Sequence, residues 1–266
     1  MISHLHYRAI VAGLLSPAIA LLTVQLPPVR SQLPPFSSGG DIGQPKQTIG
    51  AGTRYGLEFP GGGGDVGQPE HTVGAGTRGT GDCIGRDERP LTALMPTHNN
   101  ASTTVSPNPT LFAYIPQTTA QEGELVIVDD QGEEVYSTYF GVQNPPGVIK
   151  LNLPSTVALE PNQEYQWQLA LICNPAQREL DKFVRGSIRR SQLSPEMQNQ
   201  LAQVAEEPIE QAKIYLQASI WQDALTIIDA NRDKYPGAWE ELLQSVGLGA
   251  VGVERTIDCC KPTPEN

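Results

Sequence analysis

From Glu164 to Cys173 the chain alternates. Tyr165, Trp167, Leu169, Leu171 and Cys173 fall on one side of an extended segment, and Gln166, Gln168 and Ala170 fall on the other. Successive side chains of a strand point to opposite faces, so this run is a half-buried antiparallel strand with one face in a core. Runs of related character lie at Leu111–Ile115, Glu124–Asp129, Glu133–Phe140, Val148–Leu153 and Phe183–Arg190. Asp129-Asp130-Gln131-Gly132 joins two of them as a hairpin, with Gly132 supplying the positive φ. Short strands at this spacing predict a β-sandwich over residues 83–193.

Leu159-Glu160-Pro161 followed by Tyr165 resembles the tyrosine corner that precedes the sixth strand of immunoglobulin-like and fibronectin type III domains. That likeness implies a tyrosine hydroxyl bonded back to the main chain, pinning the crossover between sheets. At Ser194 the period changes. Ser194-Pro195-Glu196 reads as an N-cap followed by proline in the first helical turn. Ala212, Tyr215, Ala224, Ile228 and Pro236 then fall at the spacing of a tetratricopeptide unit, with Trp221 at a frequent aromatic position. Asn231 departs from that pattern, standing where a small apolar residue is preferred. A capping helix is predicted over Trp239–Val246, and residues 194–266 form a helical cap ending in Cys259-Cys260. The expected fold class is α+β: an immunoglobulin-like antiparallel β-sandwich followed by a small tetratricopeptide-like α-helical hairpin with a capping helix.

Upstream of this body the composition shifts. Residues 1–31 read as a signal peptide: a short basic start ending in Arg8, an uncharged run from Ala9 to Leu26, and Pro27-Pro28. Cleavage is expected after Ala18-Ile19-Ala20 or after Ser31, and a retained N-terminal anchor is the alternative. Residues 32–82 read as a disordered Gly/Pro-rich linker, with fifteen glycines between Gly39 and Gly81. Within it GGDIGQPKQTIGAGTR (39–54) recurs as GGDVGQPEHTVGAGTR (63–78), twelve of sixteen positions being identical. The duplicated unit is a spacer, or an adhesive peptide presented twice. Gly74–Gly79 matches G-x-G-x-x-G, but neither a strand before it nor a helix after it is predicted, so no dinucleotide site is expected.

Four cysteines are present: Cys83, Cys173, Cys259 and Cys260. An even count in an exported chain points to disulfides. A bond between adjacent Cys259 and Cys260 would close a strained ring. The two remaining pairings join Cys83 and Cys173 to the C-terminal pair, closing long loops worth about 4–5 kcal/mol each in the chain-entropy model.

Charge and residue chemistry exclude several functions. With 18 basic and 29 acidic side chains the chain carries a formal charge of −11, which disfavours nucleic acid as a partner. Of four histidines two lie in the leader, leaving His71 and His98, and no metal or cofactor is expected. The carboxylate pairs Asp129/Asp130, Glu133/Glu134, Glu206/Glu207 and Glu240/Glu241 are sequence neighbours at turns or on helical surfaces. A hydrolase pair must instead face across a cleft, so no catalytic residue is nominated. Tyr136, Tyr139, Phe140, Tyr165, Trp167, Trp221, Tyr235 and Trp239 are candidates for a glycan-stacking platform, set against core packing. One basic cluster stands out, with Lys182, Arg185, Arg189 and Arg190 beside Arg178. It is a candidate anion or partner stripe, or else the guard of an edge strand.

Several segments together resemble one family: GAGTRGTGDC (74–83), LTALMP (91–96), PTLFAYIP (109–116), PNQEYQWQLALIC (161–173), IYLQASIWQDAL (214–225), LLQSVGL (242–248) and Cys259-Cys260. The family is the one catalogued as domain of unknown function 928, secreted proteins found mainly in cyanobacteria. The resemblance supports export and disulfides, and implies no activity. The expected function is non-catalytic binding or scaffolding in the cell envelope, periplasmic or extracellular, through an unknown envelope protein or polysaccharide. No membrane span is expected once the leader is cleaved. A carbohydrate-binding module is the alternative, and an unrecognised hydrolase comes third.

Overall fold

Period-two sequence becomes strand and period-3.6 sequence becomes helix, in the order expected. The computed structural model describes residues 54–60, 83–85, 89–96, 100–143 and 145–257. The strands are β1 (Thr92–Ala93), β2 (Ala101–Thr104), β3 (Thr110–Ile115), β4 (Glu122–Val128), β5 (Glu134–Gly141), β6 (Gly147–Asn152), β7 (Glu164–Ile172) and β8 (Lys182–Arg190). The helices are α1 (Pro195–Gln203), α2 (Pro208–Gln217), α3 (Trp221–Ala230), α4 (Ala238–Ser245) and α5 (Gly249–Gly252). The chain is therefore α+β. Among the described residues no helix is long and apolar enough to cross a membrane. The leader, both repeat copies apart from Arg54, His71, His98 and the Cys259-Cys260 pair lie outside the described residues.

The strands form a three-stranded sheet, β1-β3-β6, and a five-stranded sheet, β2-β8-β7-β4-β5. One hydrophobic cluster joins both sheets to the helices: Phe112 and Ile149 from the first, Leu125, Trp167 and Ile188 from the second, Trp221 and Leu242 from the cap. The expectation of wholly antiparallel sheets is corrected, because β2 runs parallel to β8. Ala-Ser-Thr-Thr carries no strand signature of its own. Its pairing partner is about 85 residues further along the chain, out of reach of any local pattern.

The alternation of β7 holds on its inner face, where Tyr165, Trp167, Leu169 and Leu171 are all buried. Trp167 faces Gly186 of β8. A Cβ at that glycine would lie 2.6 Å from the Met95 sulfur and 2.8 Å from Trp167 Cε2, so only glycine leaves room for both side chains. The Tyr165 hydroxyl accepts a hydrogen bond from the Glu160 N–H at 2.9 Å, as the corner motif implied. The hairpin turn also forms as expected, with Gly132 at φ +81° and the Asp129 carboxylate accepting from the Gln131 and Glu133 N–H groups.

In the cap, Ser194 Oγ accepts from the Met197 N–H and starts α1. Ala212 and Ala224, both fully buried, let α2 and α3 approach closely. The first turn of α3 then ties the cap to the sheets through three consecutive side chains. Trp221 Nε1 donates to the Leu94 carbonyl at 2.9 Å, Gln222 donates to the Thr110 carbonyl, and Asp223 accepts from Thr104 Oγ1 at 2.8 Å and the Val105 N–H at 3.0 Å.

Disulfide connectivity differs from expectation. Cys83 is bonded to Cys173, 90 residues away, so neither is bonded to Cys259 or Cys260. The Cys83 carbonyl accepts from Thr118 Oγ1 and the Thr119 N–H just ahead of β4, and the start of β4 pairs with the end of β7. Sheet register thus brings the two sulfurs together. The C-terminal segment is returned to the body by main-chain pairing, with Val148 N–H donating to the Arg255 carbonyl and Ile257 N–H to the Val148 carbonyl, both at 2.8 Å.

The linker reading also fails for one stretch. Arg54, the last residue of the first repeat copy, and the six residues after it pack on the cap, with Leu57 fully buried.

Candidate functional site

Sheet register fixes which side chains share the outer face of the five-stranded sheet. Tyr139 of β5, Glu124 of β4, Ala170 of β7 and Phe183 of β8 form one cross-strand row. Ser137, Val126, Gln168 and Arg185 form the next, and Glu164 lies opposite Arg189 further along. With neighbouring strands about 4.8 Å apart, such rows cover a face about 20 Å wide.

Polar side chains on this face are held in place by one another. Arg185 Nε donates to Gln168 Oε1 at 2.7 Å, and its guanidinium lies 4.6 Å from the Phe183 ring centroid. Stacking and the hydrogen bond leave the remaining N–H groups of a pre-oriented guanidinium for a ligand. Burial lowers the Arg185 pKa from its ordinary value. Arg178, from the 3₁₀ turn Arg178–Leu180, reaches across β7 to Glu124 Oε2 at 2.5 Å and also holds Asp181 Oδ2 at 2.5 Å. Burial alone would depress the Arg178 pKa, but hydrogen bonds to Asp181 and Glu124 outweigh it and raise it. The neighbouring Glu124 carboxylate, together with burial, raises the pKa of the Tyr139 hydroxyl.

The predicted basic stripe divides. Arg185 and Arg189 lie on the outer face, whereas Arg190 and Lys182 belong to the opposite register of β8. Arg190 serves the fold, donating to the Leu159 carbonyl at 2.6 Å and to the Val105 carbonyl. β2 covers β8 over Ser187–Arg190, so the edge-guard explanation is withdrawn for Arg189 and Arg190, while Lys182 and Arg185 lie on the part of β8 beyond that pairing. Glu124, Asp181 and Glu164 set acids beside these arginines, so the face is charge-balanced rather than basic.

The predicted aromatic platform does not assemble. Phe140, Tyr165, Trp167, Trp221 and Trp239 are buried, Tyr136 and Tyr235 are half-buried against the core, and Tyr139 is the one exposed ring of that set at 45%. Sequence reasoning missed Glu124 and Gln168 as parts of a surface, because strand register decides their neighbours. It also missed Glu241, which holds residues 54–57.

The fold and this face define an α+β protein with a hydrogen-bonding sheet surface. Residues 73–256 match the family described as Domain of Unknown Function 928, and the chain belongs to that family. No curated protein matches the chain.

Proposed function

We propose that the chain is a non-catalytic, exported cell-envelope protein that acts by binding or scaffolding, with the outer face of the five-stranded sheet as its recognition surface. The carrying observation is the row of oriented polar groups there: Arg185 fixed by Gln168 and Phe183, beside Arg178 fixed by Glu124 and Asp181. Side chains already held in one geometry lose little entropy on binding, which suits protein recognition. Balanced charge speaks for a partner of mixed polarity rather than an anionic polymer. The body is read as an immunoglobulin-like sandwich carrying a tetratricopeptide-like hairpin, supported by the Tyr165–Glu160 corner bond and by the small Ala212 and Ala224 where α2 and α3 meet. Both architectures often present surfaces to partners, and that step is fold-level analogy.

The test is co-sedimentation of the oxidised protein with the host's envelope fraction, intact and protein-stripped. Saturable binding to intact envelopes, weakened at least about tenfold in the Gln168→Ala/Arg185→Ala variant, is expected; tenfold corresponds to about 1.4 kcal/mol. Equal binding by that variant would refute the outer face. Saturable binding to stripped polysaccharide, competed by soluble glycan, would favour the carbohydrate module, for which exposed Tyr139 is the supporting residue.

A further inference from the structure

The cap holds a built peptide site, and the chain itself shows the ligand. In Arg54–Pro60 one carboxylate, that of Glu241 on α4, accepts from three main-chain N–H groups: Arg54 at 2.7 Å, Tyr55 at 3.0 Å and Leu57 at 2.9 Å. Ser245 Oγ accepts from the fourth, Phe59 N–H, at 3.3 Å. Such bonds fix a turned main chain whose N–H groups converge on one carboxylate, and side chains then add sequence. The Leu57 side chain is fully buried. Phe59 meets the Trp221 ring edge-on at 5.4 Å. Tyr55 packs edge-on against Tyr235 and donates its hydroxyl to the Pro236 carbonyl at 2.8 Å. Gly56, at φ +67°, turns the chain beside Lys213. The site therefore recognises an aromatic-Gly-Leu-x-Phe segment, with α3, α4 and the turn between them as its walls.

Every one of these contacts could equally be made by the same segment arriving from another copy. Cis and trans docking then differ only in entropy, the condition under which identical elements exchange between protomers. Residues 61–82 separate the docked segment from Cys83, which the disulfide fixes to the body. Covalent attachment through these residues raises the concentration of the segment at its own groove, so cis docking dominates in dilute solution. Where copies crowd together, trans docking competes. We infer that the Glu241 groove is a homotypic docking site that takes the Tyr55–Phe59 segment of a second copy and links copies of this chain.

Two variants separate groove from segment. Leu57→Asp keeps the groove and spoils the segment; Glu241→Ala keeps the segment and spoils the groove. Neither variant has a cis competitor, so their mixture exposes the trans contact. By sedimentation equilibrium each variant alone should remain monomeric, and an equimolar mixture should form a 1:1 heterodimer. That association should be at least about tenfold tighter than self-association of wild type, whose grooves are occupied in cis. Near-ultraviolet circular dichroism and a non-reducing digest showing the Cys83–Cys173 bond establish that both variants are folded. Where either is not, the milder pair Leu57→Ala and Glu241→Gln replaces it. A mixture of folded variants that sediments only as monomers overturns the proposal. So does dimerisation of Leu57→Asp alone, which would place the contact elsewhere.

Discussion

Asp223 offers the sharpest test of how the cap is held on the sheets. Its carboxylate accepts from the Thr104 hydroxyl and the Val105 N–H, joining the first turn of α3 to the end of β2. Burial raises its pKa above the ordinary 3.8, while the Thr104 and Val105 hydrogen bonds oppose the rise without cancelling it. Asp223→Ala removes the acceptor from both donors, at about 1–3 kcal/mol for each donor left dry. Relief of the buried charge offsets part of this, for a net loss of about 2–4 kcal/mol. Asp223→Asn keeps an acceptor oxygen and removes the charge, so its cost is expected at about 1 kcal/mol or less.

The pH dependence follows from linkage. Between 3.8 and the raised folded value the native state binds more protons at Asp223 than the unfolded state does, so this group's contribution falls as pH rises through that window. Relative to Asp223→Asn, wild type should therefore gain stability as pH falls from neutral towards 3.8. Urea unfolding of both proteins at a series of pH values gives the difference curve directly. A flat difference, or one sloping the other way, refutes the desolvation argument. Asp223→Ala within about 0.5 kcal/mol of wild type would refute the hydrogen-bonding one.

Further outcomes follow from the same geometry. Replacing Cys83 and Cys173 together by Ala should cost about 4–5 kcal/mol, the chain-entropy value for a loop of 90 residues, read by denaturant unfolding. Gly186→Ala drives a methyl group into Met95 and Trp167 and should cost about 1–3 kcal/mol, seen as a lower Tm. Tyr165→Phe takes away the partner of the Glu160 N–H and should cost about 1–2 kcal/mol in chemical unfolding.

Legibility followed the range of the interaction. The six strands read from alternation and the hairpin at Gly132 depend on neighbours a few residues apart, and all of them form. The Tyr165 corner spans five residues and was readable for the same reason. β2 was not, because an alanine and three small polar residues become a strand only beside β8. The disulfide was misread because elimination by ring strain assumed that all four cysteines pair among themselves. Register between β4 and β7 instead carries Cys173 to Cys83. The outer-face cluster was half visible. The arginines of β8 stood out, but the acids and glutamines that neutralise and orient them come from β4, β7 and the turn before β8.

Sequence alone determined the α+β order, the inner face of β7 and the start of α1 at Ser194, since each is set by side-chain period or local capping. Tertiary structure decided everything that joins distant segments. Tyr55–Phe59 looks like part of a glycine-rich spacer until α4 sets Glu241 against its main-chain N–H groups. A carboxylate beside another glutamate on a helix reads as solvated charge. Only packing reveals that this one holds a peptide, because hydrogen bonds across more than 180 residues leave no trace in local pattern.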